Sequence, residues 1–350
     1  MRRNEGDGER MVWLVEGGAE NESHEQVFGE GMRMKRLTRF AVMAAICGFG
    51  FAFAQQSPSA AGLQESVPGA TANVSAEASV VANPAIWRVH GARGTVYLFG
   101  SIHVMKPNVQ WETAKVRAAL DASDVIYLEV ANMDDTASEM PLMMQLGMDA
   151  AHPLSTKISK QDVALLDAAV KSMGMPGEQM FEPMQPWMVS TTLAMLLMGK
   201  AGYAPTSGID TTLLAESKGL QKQVMGFETL DDQIHMVADQ PQQEQVKMLH
   251  KNLTELDKSA GEMNDMVAAW EHGDVEAIGK MENNELAVKY PAEYSRLVVD
   301  RNRRWTATLE GLLKDPQTGS VFVVVGAAHL AGPDSLLKML QRDGYTVVRE

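Results

Sequence analysis

The chain has 350 residues, with 31 Lys and Arg against 45 Asp and Glu and a formal net charge of −14. That length suits one large domain or two small ones, and the acidity argues against nucleic acid or an anionic membrane as partner. The single cysteine, Cys47, falls in a segment expected to be cleaved, which excludes disulfides, thiolate ligands and cysteine nucleophiles from the mature chain.

Residues 1–31 are acidic and rich in Gly and Glu, unlike the start of an exported protein. They are expected to be a gene-model extension, with translation beginning at Met32 or Met34. Met34-Lys35-Arg36-Leu37-Thr38-Arg39 is basic, Phe40 to Ala54 is uncharged and apolar, and Ala52-Phe53-Ala54 has the small-x-small cleavage pattern. These features predict a signal peptide over 32–54, cut before Gln55, and too short to span a bilayer comfortably. The mature protein is then periplasmic or secreted, with no stable membrane insertion. Ile46 stands where a lipoprotein signal wants a small residue before the cysteine. Residues 55–84, rich in Ala, Ser, Gly and Pro, read as a flexible linker to a domain over 85–350.

Within that domain, residues 85–103 read as a hairpin turning through Gly91-Ala92-Arg93-Gly94. Asn108 can cap a helix over 109–122, which leads into a strand at Asp124 to Val130. Residues 136–207 read as helices, with Lys160 to Met173 stopped by Gly174 and Pro186 to Met198 stopped by Gly199. Ser207 caps a helix from Ile209 to Ser217, and a strand follows over Lys222 to Glu228. A second helical stretch covers 229–289, and Pro291 opens a long helix to about Leu313. Val321 to Val325, a helix after Pro333 and an edge strand over Tyr345 to Arg349 complete the pattern. The fold class is therefore α/β: a mixed β-sheet core with a large helical insertion forming a cap.

Two tetrads stand out, Gly100-Ser101-Ile102-His103 and Gly326-Ala327-Ala328-His329, each directly after an apolar strand. Ligand-handling groups collect at the carboxyl ends of strands in open α/β sheets. Glu129 and Glu228 stand near the ends of two further strands, where a carboxylate must be paired or bind a cation. His103, His329 and Glu129 are the ligand types of a divalent metal ion such as zinc, manganese, iron or cobalt. A water on that ion could attack a carbonyl, with Glu228 as general base and Arg301 stabilising the oxyanion. The same residues allow other readings. His103 could be a general base with Glu129 orienting its imidazole, or the two histidines could hold haem iron axially. Glu228 could cap the next helix, and Arg301 could be a helix-surface cation beside Arg303 and Arg304.

These motifs resemble those of the TraB/PrgY/GumN family. Ile86-Trp87-Arg88-Val89-His90 through His103 looks like the start of such a domain, and Val325 to Ser335 followed by Gly344-Tyr345-Thr346-Val347-Val348 looks like its close. Between them Gly208-Ile209-Asp210, Gly226-Phe227-Glu228-Thr229 and Arg301-Asn302 are similar to the family's other motifs, in order. The similarity spans roughly 85–350 and is greatest to the bacterial GumN-like branch. In the related TIKI proteins these elements imply a metal-dependent protease, and the wider fold is shared with erythromycin esterases and haem-binding ChaN-like proteins. The resemblance thus implies a metal-dependent peptidase or related hydrolase, with Asp210 and Asn302 at the substrate. The alternative is an exported module that binds a peptide or haem without catalysis.

The remaining signals are plainer. His90, His152, His235, His250 and His272 lack metal-ligand spacing. The methionines, 25 in all, include Met140, Met143, Met144 and Met148, and Met184, Met188, Met195 and Met198, whose spacing favours helix core over a copper site or adaptable groove. No serine-hydrolase elbow, Walker loop or dinucleotide fingerprint is present.

Overall fold

The computed structural model describes residues 79–350. The expected extension (1–31), the signal peptide (32–54) and residues 55–78 of the linker lie outside the described residues. The linker's last residues are not loose. Strand β1 (Val80–Val81) pairs in parallel with β4 (Val109–Gln110), and Ala82 is buried. Asn108 is spent on this ladder, its carbonyl accepting from the Val80 amide at 3.2 Å. The helix expected from 109 therefore starts later, over Ala114–Asp121, where Thr113 Oγ1 accepts from the Val116 amide at 3.3 Å.

The core is a six-stranded mixed sheet. Its strands are β2 (Ile86–His90), β3 (Thr95–Ser101), β5 (Val125–Val130), β6 (Gln223–Glu228), β7 (Val321–Gly326) and β8 (Val347–Arg349), in the order β6-β5-β7-β3-β2-β8. Neighbours from β6 to β3 are parallel, while β2 runs antiparallel to both β3 and β8. The hairpin β2–β3 sits where sequence places it. β7 is central and every residue in it is buried. Both faces of the sheet are covered, which is why its strands read as unbroken apolar runs. Phe99, Ile126, Leu128, Phe322 and Val324 pack on one side with Val116, Leu213 and Trp270. Val96, Leu98, Val321, Val323 and Val325 pack on the other with Trp305, Leu309, Leu313 and Leu340.

Helices fill the segments between β5 and β6 and between β6 and β7. Lys160–Ser172 and Pro186–Lys200 form as expected, but Gly199 lies inside the second, whose chain turns away at Gly202 with φ +85°. The long helix after Pro291 is interrupted. Pro291–Tyr294 and Asp300–Lys314 are joined by a π-helical turn, Ser295–Val299. Among the described residues no helix is long and apolar enough to cross a membrane.

Candidate functional site at the strand ends

The parallel arrangement brings the carboxyl ends of β3, β5, β6 and β7 to one edge of the sheet, as the tetrads predict. His103 follows β3, Glu129 and Glu228 lie near the ends of β5 and β6, and His329 sits in the 3-10 turn after β7. The helix Asp300–Lys314 adds Arg301 and Asn302, both fully buried.

Arg301 is the hub. Its Nη2 donates to Glu129 Oε2 at 2.6 Å and to Glu228 Oε2 at 2.9 Å, and its Nε donates to Glu228 Oε1 at 2.9 Å. Its Nη1 donates to the Leu297 carbonyl at 3.3 Å and to His329 Nε2 at 3.1 Å. The guanidinium also lies 4.5 Å from the centre of the Trp305 ring. A surface role for Arg301 is thereby overturned. Glu228 does not cap the following helix either. Thr229 does so, in a reciprocal pair with Asp232, while Glu228 faces Arg301 and Arg304.

Each histidine is anchored through Nδ1 by a side-chain oxygen, and the two anchors differ in charge. The Asn302 amide nitrogen donates to the carbonyls of His329 (3.3 Å) and Asp334 (2.8 Å), so its oxygen faces His329 Nδ1 at 2.7 Å and accepts a hydrogen bond from it. With Arg301 donating to Nε2, His329 is a neutral imidazole of defined tautomer. Burial, then the Arg301 charge, drive its pKa down to about 3. His103 Nδ1 instead faces the Asp210 carboxylate at 2.7 Å, whose other oxygen accepts from Ser101 Oγ at 2.8 Å. Burial alone would lower the His103 pKa, but Asp210 and Glu129 overcome it and raise the pKa to about 9. Glu129 accepts the Gly326 amide at 2.7 Å. Burial opposes its ionisation, yet Arg301, the two histidines and this amide hold its pKa at about 2.

Gly326 and Gly208 are required by close approach. A Cβ on Gly326 would lie 3.2 Å from Glu129 Oε1 and 3.5 Å from His103 Nε2. One on Gly208 would run into the His103 carbonyl oxygen. The Ile209 amide donates to the Ile102 carbonyl at 3.0 Å, which docks the helix carrying Asp210 beneath the first tetrad. His103 Nε2 is the exception in this network: it is buried and has no hydrogen-bond partner.

The residues expected to bind a metal can be tested on this geometry. His103 Nε2 has no hydrogen-bond partner, and His329 Nε2 stands 3.8 Å from Glu129 Oε1. His329 Nε2, however, accepts from Arg301, and both Glu129 oxygens are engaged. Among the described residues no group of three His, Cys, Asp or Glu side chains is placed to hold an ion. In this arrangement the donors do not fit a three-ligand metal site, because a guanidinium stands where the cation would be needed.

All seven residues singled out from the sequence gather at this edge. The sequence reading missed Ser101, Gln233 and Trp305. Ser101 lies inside the first tetrad and supports Asp210. Gln233 Nε2 reaches Glu129 Oε2 at 3.4 Å. Trp305, four residues after Arg301 and so on the same helix face, packs against the His329 ring with the ring centres 4.5 Å apart and the planes tilted by 47°. The other histidines among the described residues lie outside this cluster: His90 pairs with Thr95, His152 with Asp149 and His235 with Asp239 locally, His250 with Asp162 across the helical region, while His272 faces a backbone carbonyl.

Comparison with known proteins agrees with the motif pattern. The model of the TraB/PrgY/gumN family matches residues 85–349. An uncharacterized protein of Treponema pallidum (strain Nichols) is 22% identical over 275 residues, 73% of this chain and 80% of that protein. No solved structure matches.

Proposed function

The chain belongs to the TraB/PrgY/gumN family, and from that premise we propose that it is an exported hydrolase of a peptide or a related amide or ester, with His103 as the group that exchanges protons with the substrate. The observation that carries this reading is the unpartnered Nε2 of His103, at the strand ends and backed by Asp210 on Nδ1. That is the geometry of an oriented general base. Unprotonated Nε2 takes a proton from a water attacking the carbonyl, and the imidazolium returns it to the leaving group. Asp210 keeps the proton on Nδ1 and stabilises the imidazolium. This reading moves the base from Glu228, which is wrapped by Arg301 and Arg304, to His103. It makes Asp210 and Asn302 positioning residues behind the two histidines. The helices that bring Asp210, Gln233 and Arg301 to the strand ends form the cap over them.

A second reading is the metal-dependent hydrolase that the family resemblance implies, with zinc, manganese or cobalt. It is favoured by the same unpartnered Nε2, but it requires Arg301 to release His329. A haem site needs the same release. The mature chain, expected to begin at Gln55, should be assayed on peptide and ester libraries. His103→Gln should fold normally and lose about 100-fold or more in turnover. Asp210→Asn should also slow turnover and shift the alkaline rise of the pH–rate profile to lower pH. Loss of activity in a chelator, restored by one divalent ion, would put the metal reading first. A Soret band, with no turnover on any substrate, would favour the binding module.

A further inference from the structure

The segment that carries His329 is short and irregular. Ala327–Leu330 is a single 3-10 turn, and the chain then passes through Gly332 in the left-handed region, φ +82°. Such a stretch leaves carbonyls that no helix or sheet ladder satisfies. Two asparagines supply donors to them. Asn302 donates to the carbonyls of His329 and Asp334. Asn283, also buried, uses its amide nitrogen in the same way, on the carbonyls of Ala328 at 2.9 Å and Ala331 at 2.8 Å. Side chains from two separate helical segments thus clamp the turn from both sides.

A π-helical turn aims Asn283 at these carbonyls. The helix Val275–Gly279 packs tightly on Gly332, since a Cβ on Gly279 would lie 3.1 Å from the Gly332 amide nitrogen. It runs directly into the π-helical turn Lys280–Asn284, whose extra residue rotates the following side chains by about 100° relative to an ordinary helix. The other π-helical turn among the described residues, Ser295–Val299, serves the same cluster through the Leu297 carbonyl, which accepts from Arg301. The clamped turn is a wall of the site. Gly326, which opens it, gives its amide to Glu129 and lies beside His103 Nε2. Ala327 packs on the first tetrad, where a Cβ on Gly100 would lie 3.1 Å from Ala327 Cα. A shift of the turn therefore moves the His329 ring, the Glu129 amide and the space beside His103 Nε2 together.

We propose that Asn283 is a positioning residue of the strand-end site. It touches no substrate. It acts through the turn Gly326 to His329, holding the His329 ring in one tautomer and the wall beside His103 Nε2 in place. Its effect on turnover rests on the hydrolytic reading, whereas its effect on the His329 ring does not.

The test is a nitrogen NMR spectrum of the histidine rings at neutral pH, with kcat and KM on any substrate that the peptide and ester libraries yield. The variants are Asn283→Leu, close in size but without donors, and Asn283→Ala. Leu253→Ala, in a separate apolar cluster, controls for lost stability alone. In the wild type one ring, identified by its absence from His329→Gln, should show a single tautomer with the proton on Nδ1. In both Asn283 variants its nitrogen shifts should move toward those of a tautomer mixture. Their kcat should fall by about tenfold or more with KM within about twofold, as for a misplaced reacting group. Leu253→Ala should melt earlier with an unchanged ring and unchanged kcat. If the wild type cleaves nothing, the hydrolytic reading fails and the ring spectrum alone decides this proposal. It is overturned by wild-type ring shifts in both folded Asn283 variants, by wild-type kcat in both, or by the same ring change in Leu253→Ala. If neither Asn283 variant folds, the wild-type side chain decides. Exchange of the Asn283 side-chain amide with solvent should be at least about 100-fold slower than that of its exposed neighbour Asn284, and faster exchange overturns the proposal.

Discussion

Two histidines with the same anchoring and opposite charge states define the chemistry at the level of single residues. Asp210 behind His103 and Asn302 behind His329 differ by one carboxylate against one amide. Together with Arg301 at the second ring, this separates the two pKa values to about 9 and about 3. Environments that split like groups in this way assign proton-transfer roles. Arg301 matters chiefly for stability. Removing it leaves Glu129 and Glu228 buried without a counter-charge, so Arg301→Ala should cost about 3–5 kcal/mol, read from urea denaturation midpoints at constant slope. Wild-type stability in that variant would mean the network is dispensable. The sequence made the seven site residues legible because each sits in a recognisable motif at a strand exit or on one helix turn. Their pairing was not legible. A carboxylate at a strand end is equally suited to a cation from a ligand or from Arg301, and only the helix register of Asp300–Lys314 decides between them.

At the level of elements, the strand exits place the groups and the glycines let them converge. Gly326 has φ −50°, which any residue tolerates, so its need is for space rather than backbone freedom. A methyl there would press on Glu129 Oε1 and fill the space beside His103 Nε2. Gly326→Ala should therefore lose activity by about tenfold or more while costing only about 1–3 kcal/mol in stability, the range for slight overpacking. Equal activity would show that the space beside Nε2 is not used. The apolar strands, the hairpin and most helices could be read from the sequence because their periodicity and caps are local. Two features could not. Asn108 looks like a cap until β1 arrives to claim its carbonyl, a contact between segments distant in sequence, in the register of Val80 with Val109. The π-helical turn at Ser295–Val299 inserts its extra residue into a run whose apolar spacing still fits an ordinary helix.

For the molecule as a whole, the buried charges predict a stability optimum near neutral pH. Folding holds His329 neutral, with a pKa of about 3 against 6.5 ordinarily. Its contribution is complete above about 6.5 and is lost as pH falls toward 3. Glu129, held at about 2 against 4.5, contributes fully above about 4.5 and is lost as pH falls toward 2. Both therefore act on the acid side, His329 first. His103 has the opposite sign. Its pKa of about 9 against 6.5 gives a contribution complete below about 6.5 and lost as pH rises through 9. Strand order is what brings these groups together. β7 is reached only after the long helical segments that follow β5, and no local signal ranks it between β3 and β5. The melting temperature of the mature chain, measured from pH 3 to 10, should fall on both sides of a neutral plateau. In His329→Gln the decline between pH 6.5 and 3 should become shallower, leaving the carboxylate loss at lower pH. In His103→Gln the alkaline decline should flatten while the acid limb stays. If each variant only lowers the whole curve without changing the shape of its own limb, the two imidazoles do not titrate in these environments, and the opposed charge states assigned to them are wrong.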